Sequence, residues 1–183
     1  MAQTLINNLS YSTLDATKLS GSLPAISGAS LTGISGGKVL QVTQSKITGE
    51  RGTNSTSYIA SNIHHNITPS ATSSKVLVMF NLPSLYCSLV TRPIRLKLYR
   101  HTAVVTTGGS PLGEEINGDF YSNYIGGTDG QSGKSAFVEL DSPSSTSAVY
   151  YQIYFSTTNS DNNAYIGQGS VPIANVNLLE IGA

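Results

Sequence analysis

The sequence predicts an all-β protein, a jelly-roll-like β-sandwich carried on an extended N-terminal arm. Three observations predict it. Apolar residues occur in short runs or alternate with polar ones over strand lengths. Clusters of Gly, Pro, Asn and Ser separate those runs. Nowhere do apolar residues hold a helical period over three turns.

From Lys18 to Gly37 a Leu or Ile, a Ser or Thr, and a Gly recur at Leu19-Ser20-Gly21, Ile26-Ser27-Gly28, Leu31-Thr32-Gly33 and Ile34-Ser35-Gly36. Pro24 and the glycines forbid a helix, and the repeat is too short for a free-standing solenoid. Leu19, Leu23, Ile26, Leu31 and Ile34 gain about 1.5–3 kcal/mol each if buried. Ordering each of about twenty backbone residues costs about 1–2 kcal/mol. The cost wins, so residues 1–37 are expected to be flexible or held by another surface.

The β-domain is expected over 38–183. Val39 to Val42 opens it, and Tyr58 to Ile63 follows. Lys75 to Phe80 is continuously apolar, which predicts a strand buried on both faces. Ile94 to Arg100 alternates apolar and basic, so one face is buried and the other wet. Ala136 to Leu140, Val149 to Phe155 and Val176 to Ile181 are further strands, with weaker signals at Ala103 to Val105 and Tyr121 to Ile125. Seven to nine strands favour a two-sheet jelly roll. An immunoglobulin-like sandwich is the other topology this periodicity allows.

Composition narrows the function. Charged residues make up 11 % of the chain, with ten basic and ten acidic side chains scattered singly. A nucleic-acid binder needs clustered positive charge, so no nucleic-acid partner is expected. No apolar run approaches the ~20 residues of a membrane span, and no basic-then-apolar leader opens the chain. Membrane insertion is not expected, and synthesis in a cytoplasm is. Cys87, the single cysteine, cannot form an internal disulfide and reads as a small buried hydrophobe.

Motifs with chemical potential each have a plainer reading. Gly127 to Ser135 resembles a phosphate-binding loop, but it has one residue too many and leads into a strand instead of a helix. His64 and His65 are strand neighbours pointing to opposite faces, so they do not converge on a metal. Glu114, Glu115 and Asp119 suggest a glycosidase pair, yet they sit in the longest irregular segment and read as solvated loop acids. Asn159 to Asn163 lacks the spacing of a calcium loop and reads as a hairpin turn. No catalytic residue, metal or cofactor is expected. The segment Thr106 to Lys134 carries Asn117, Asp119, Phe120, Tyr121, Asn123 and Tyr124, a mixture suited to a recognition loop.

Several stretches follow one another in a familiar order: Lys38-Val39-Leu40-Gln41-Val42, Ile67-Thr68-Pro69-Ser70, Ser73 to Val78, Leu140-Asp141-Ser142-Pro143 with Thr146-Ser147-Ala148, and Asn177 to Ile181. Together they resemble a small β-domain of tailed-phage virion proteins, and the arm resembles the Leu-Thr-Gly segments that precede such domains in phage fibres. The resemblance implies a structural protein of the virion, assembled in the host cytoplasm. It implies no catalytic residues, and capsid decoration, head fibre and tail fibre are all compatible with it. The expected partners are the chain itself, as a homotrimer, and capsid or tail proteins through the arm. Host surface glycan is the partner expected of a fibre.

Overall fold

The structure is a computed structural model that describes residues 38–89, 93–105, 108–110, 113–116, 120–121, 131–167 and 174–182. Leu19, Leu23, Ile26, Leu31 and Ile34 of the arm lie outside the described residues, as do Asn117, Asp119, Asn123 and Tyr124.

Eleven strands and no helix occur among the described residues. They are β1 (Val39–Ile47), β2 (Arg51–Thr53), β3 (Ile59–Ile67), β4 (Lys75–Cys87), β5 (Ile94–His101), β6 (Glu114–Glu115), β7 (Phe120–Tyr121), β8 (Gln131–Asp141), β9 (Val149–Thr157), β10 (Ala164–Ile166) and β11 (Ala174–Ile181). Every pairing is antiparallel.

β8 runs along one edge of β4, while β11 and β10 share the other edge end to end. β1 and β2 lie outside them in the same succession. A register shift between Leu82 and Leu85, with Pro83 inside it, lets β4 pass from β11 to β10. Pro belongs at such a break because it cannot donate to the ladder. The second sheet runs β3-β9-β5, with β6 and β7 sharing the outer edge of β5.

Eight ribbons result, ordered β1/β2–β10/β11–β4–β8 and β3–β9–β5–β6/β7. Successive ribbons change sheet at each step except from β5 to β6. This is the strand order of a jelly roll, two Greek keys folded face to face, and not that of an immunoglobulin sandwich.

The core fills the space between the sheets. Val76, Val78, Phe80, Val176 and Leu178 from one sheet meet Ile94, Leu96, Leu98, Tyr151, Ile153 and Phe155 from the other. Phe80 and Phe137 stack with ring centroids 5.1 Å apart.

Several expectations need correction. β4 is not buried on both faces: Val76, Val78 and Phe80 are, but Leu77 and Met79 are half-buried. A sandwich has only two layers, so each sheet has one core-facing side. Ala103 to Val105 form no strand, because the backbone of Val105 bonds to the Gln152 side chain instead of to a ladder. β8 starts at Gln131, earlier than Ala136. Asn159 to Asn163 is not a hairpin turn, since it joins β9 in one sheet to β10 in the other.

Candidate functional site

The first candidate is the outer face of the β1-β11-β4-β8 sheet. Val42 lies opposite Leu179, Leu179 opposite Leu77, and Leu77 opposite Leu140. Four aliphatic side chains therefore line up across all four ribbons, from one edge to the other, on the side away from the core. Met79 and Val138 add to the row beside them. Val42 is 61 % exposed, Val138 58 % and Leu140 49 %. Such a contiguous apolar stripe marks a contact surface more often than scattered exposed residues do. Among the described residues, the charged side chains at outward positions of these four ribbons are Lys46, Lys75 and Lys134.

The outer face of the other sheet is different. Gln152 and Tyr154 of β9 point away from the core yet are fully buried. Gln152 accepts from the Val105 amide at 3.1 Å, and its own amide donates to the carbonyls of Ser61 at 2.8 Å and Val105 at 3.0 Å. The segment continues to Gly108 and Gly109, which exchange two backbone bonds of 2.8 Å with Ala60. The chain itself thus covers the middle of this face, around Gln152 and Ala60.

The second candidate lies at the end of the sandwich where β11, β8 and β5 finish. Here the strand register sets Gln41, Glu180, Val76 and Asp141 in one row, three polar side chains beside a core valine. Glu180 is 1 % exposed and accepts hydrogen bonds from Gln41 Nε2 at 2.7 Å, the Ser70 amide at 2.7 Å and the Ser70 hydroxyl at 2.6 Å. Burial works against its charge, but these donors outweigh burial and hold the carboxyl at about 2. Asp141 reaches across to the other sheet. Arg100 Nη1 donates to both its oxygens at 2.7 Å, and the Tyr151 hydroxyl donates to Oδ2 at 2.7 Å. Arg100 Nη2 donates to Glu114. Burial, then the bond to Asp141, push the Tyr151 phenol up.

A cleft of about 1140 Å³ opens beside Arg100 and Glu114, with Thr102, Val104 and Ser110 on one side and Pro143, Ser147 and Ala148 on the other. Gly113 has φ +84°, and a Cβ there would lie 2.2 Å from the Arg100 carbonyl oxygen. Only glycine lets the backbone at position 113 lie so close to β5. His101, 5 % exposed, belongs to the cleft wall. Its ring lies 5.5 Å from Tyr154 and 6.1 Å from Tyr99, and its Nε2 has no hydrogen-bond partner. Burial pushes its pKa down.

The sequence-predicted sites map onto this frame only partly. The segment Thr106 to Lys134 is not one loop: it contains β6, β7 and the start of β8. The backbones of Phe120 and Tyr121 pair with Leu96 and Arg95, because β5 would otherwise leave an open ladder edge. Glu114 and Glu115 are strand residues instead of loop acids, paired with Arg100 and with Lys97 respectively, the latter at 2.9 Å. Lys134 and Ser135 lie inside β8, which leaves no helix N-terminus to cradle a phosphate. His64 and His65 face Gln152 and Tyr151, on opposite sides of the sheet as expected. Cys87 is buried, and burial pushes its thiol up.

Sequence reasoning missed Glu180, Asp141 and the apolar row. A signal for Glu180 exists: it falls on the inward phase of Val176, Leu178 and Glu180. The row of four has no signal in the linear sequence, since it needs the strand order.

No protein-family model and no curated protein matches the chain. Among solved structures, a chain in the structure of infectious bursal disease virus, Gx strain, aligns with a TM-score of 0.30 at 10 % identity. The alignment covers 78 % of this chain and 42 % of that one, so the chain spans less than half its length. A likeness this slight transfers neither fold nor role.

Proposed function

We propose that the protein is a non-enzymatic structural component of a phage virion, a capsid decoration or cement protein whose β-domain assembles with copies of itself. The single observation behind this reading is the uncovered row Val42–Leu179–Leu77–Leu140. A monomer gains nothing by exposing an aliphatic stripe that runs from edge to edge of a sheet; an assembled protein buries it. The jelly roll adds support only by analogy, since viral capsid domains use it and so do many unrelated proteins.

A threefold arrangement suits the charges better than a twofold one. Among the described residues, no carboxylate shares the outward side of these ribbons with Lys46, Lys75 and Lys134. Face-to-face packing sets this surface against its own like charges, whereas a ring sets it against a different surface of the neighbour. The arm, whose apolar residues are too few to order it alone, anchors the trimer on neighbouring capsid subunits.

The test is made on purified virions and on the full chain. Quantitative mass spectrometry should give a copy number that matches the capsid lattice. Replacing Leu19, Leu23, Ile26, Leu31 and Ile34 together by Ser should leave a folded trimer that no longer binds particles. Undiminished particle binding by that variant contradicts the reading.

The cleft beside His101 favours a second reading, a short tail or head fibre that binds a host receptor or surface glycan. A copy number that follows the symmetry of the tail, not of the shell, selects it.

A further inference from the structure

We infer that the cover over the β3-β9-β5 sheet is an acid-sensitive clasp. Protonation of His64 and His101 frees Val105, Gly108 and Gly109 from the sheet and uncovers Gln152 and Tyr154, while the sandwich stays folded.

The attachments are few. The Gln152 side chain alone holds Val105, at both its amide and its carbonyl. Two backbone bonds to Ala60 hold Gly108 and Gly109. So small a set of bonds can open locally without unfolding the sheets beneath.

Two histidines stand beside these attachments. His64 is the register partner of Gln152, so both side chains project from the same side of the sheet. His101 is the register partner of Tyr150, two residues along β9 from Gln152 and again on that side. His64 is half-buried, and His101 is 5 % exposed. The His101 ring lies 5.5 Å from Tyr154 and 6.1 Å from Tyr99, and its Nε2 meets no acceptor. A neutral imidazole can rest there. An imidazolium carries a second N–H and a charge, and both call for water that the cover keeps out.

The neighbouring charges do not offset the new ones. β5 and β6 contribute the pairs Lys97–Glu115 and Arg100–Glu114, whose carboxylates are already engaged, and Asp141 is held by Arg100. Arg95 adds a cation further along β5. Arg51 adds another beside Gly108, where a Cβ would stand 2.5 Å from Nη2. Tyr99, Tyr150 and Tyr154 bring phenols, and His65 lies on the opposite side of the sheet. From Thr102 to Gly113 the chain has no ionisable side chain, so the cover itself supplies no counter-charge. Burial already holds both imidazoles below their ordinary value. Opening returns them to water, so the open form binds protons more readily and falling pH favours it. Each histidine can raise the opening constant by up to about tenfold per pH unit below about 6.5.

The experiment is hydrogen exchange of the full chain at about pH 7.5 and about pH 5.5, corrected for the intrinsic effect of pH on amide exchange. Protection of the Val105, Gly108 and Ala60 amides should fall at least about tenfold at the lower pH, while β4 and β11 keep theirs. His64→Gln and His101→Phe should each remove part of this response, and together nearly all of it. Phe fills the place of the His101 ring and asks for no acceptor. Equal protection of the three amides at both pH values overturns the inference. So does a loss shared equally by β4 and β11, or a response unchanged in both single variants. The wild-type comparison decides even where a variant fails to fold.

Discussion

Arg100 and Asp141 belong to opposite sheets and meet through two hydrogen bonds of 2.7 Å, at an end of the sandwich where the core closes on polar groups. Their side chains are 16 % and 10 % exposed. Burial opposes the charge on Arg100, but the bond to Asp141 and the neighbouring charges outweigh it and hold the guanidinium firmly protonated.

Removing one partner leaves a shielded charge without its counter-ion. Asp141→Ala should therefore cost about 3–5 kcal/mol, and it also strips the Tyr151 hydroxyl of its acceptor. Arg100→Met combined with Asp141→Leu should recover much of that loss. Urea unfolding of Arg100→Met, of Asp141→Leu and of the double variant checks this. Additive losses would mean that the pair is not coupled.

Acid should destabilise the protein in two stages. His64, His65 and His101 are all held below the ordinary 6.5 by burial. The unfolded chain takes up their protons first, so stability falls as pH drops below about 6.5. The carboxyl of Glu180 lies at about 2 against an ordinary 4.5. Its contribution is complete above 4.5 and disappears as pH falls from there to 2. Melting temperature against pH should show both declines, and Glu180→Gln should flatten the lower one. At neutral pH that variant should lose about 1–3 kcal/mol, the worth of hydrogen bonds to a charged acceptor.

Gly113→Ala should destabilise by at least about 1 kcal/mol, because φ is positive there and the new Cβ meets backbone that cannot retreat. Thermal unfolding measures it. An unchanged melting temperature would show that the backbone at Gly113 is not pressed against β5.

Leu140→Glu and Val42→Glu should leave the fold intact, since both side chains are largely exposed, and should shift the chain to monomer in sedimentation velocity. Charges at these positions interrupt the apolar row at both ends. Persistence of the same oligomer would move the interface elsewhere.

How much of this is legible in the sequence depends on the element. β1, β3, β4, β5, β8, β9 and β11 each carry alternation or an apolar run, and their positions follow from it. β2, β6, β7 and β10 are only two or three residues long and exist because a neighbouring ladder edge needs partners, which no local pattern records. The same limit hides both candidate sites. Leu77 and Leu140 become neighbours only when β4 and β8 pair, and Asp141 reads as the start of an Asp-Ser-Pro turn until Arg100 is brought opposite it. The arm and the Tyr- and Asn-rich recognition residues were read from composition, and most of them lie outside the described residues.

The seal that Gln152 and the Gly108–Gly109 backbone place over one side of the domain has a consequence for how copies can accumulate. A slab that is adhesive on both broad sides can be piled up indefinitely, each newcomer offering the next a fresh surface. A slab whose second broad side is closed must set its sticky side against a neighbour's rim, and a succession of such contacts that turns back on itself ends in a ring. The few bonds that Gln152 makes would then act as a stopper against filament growth.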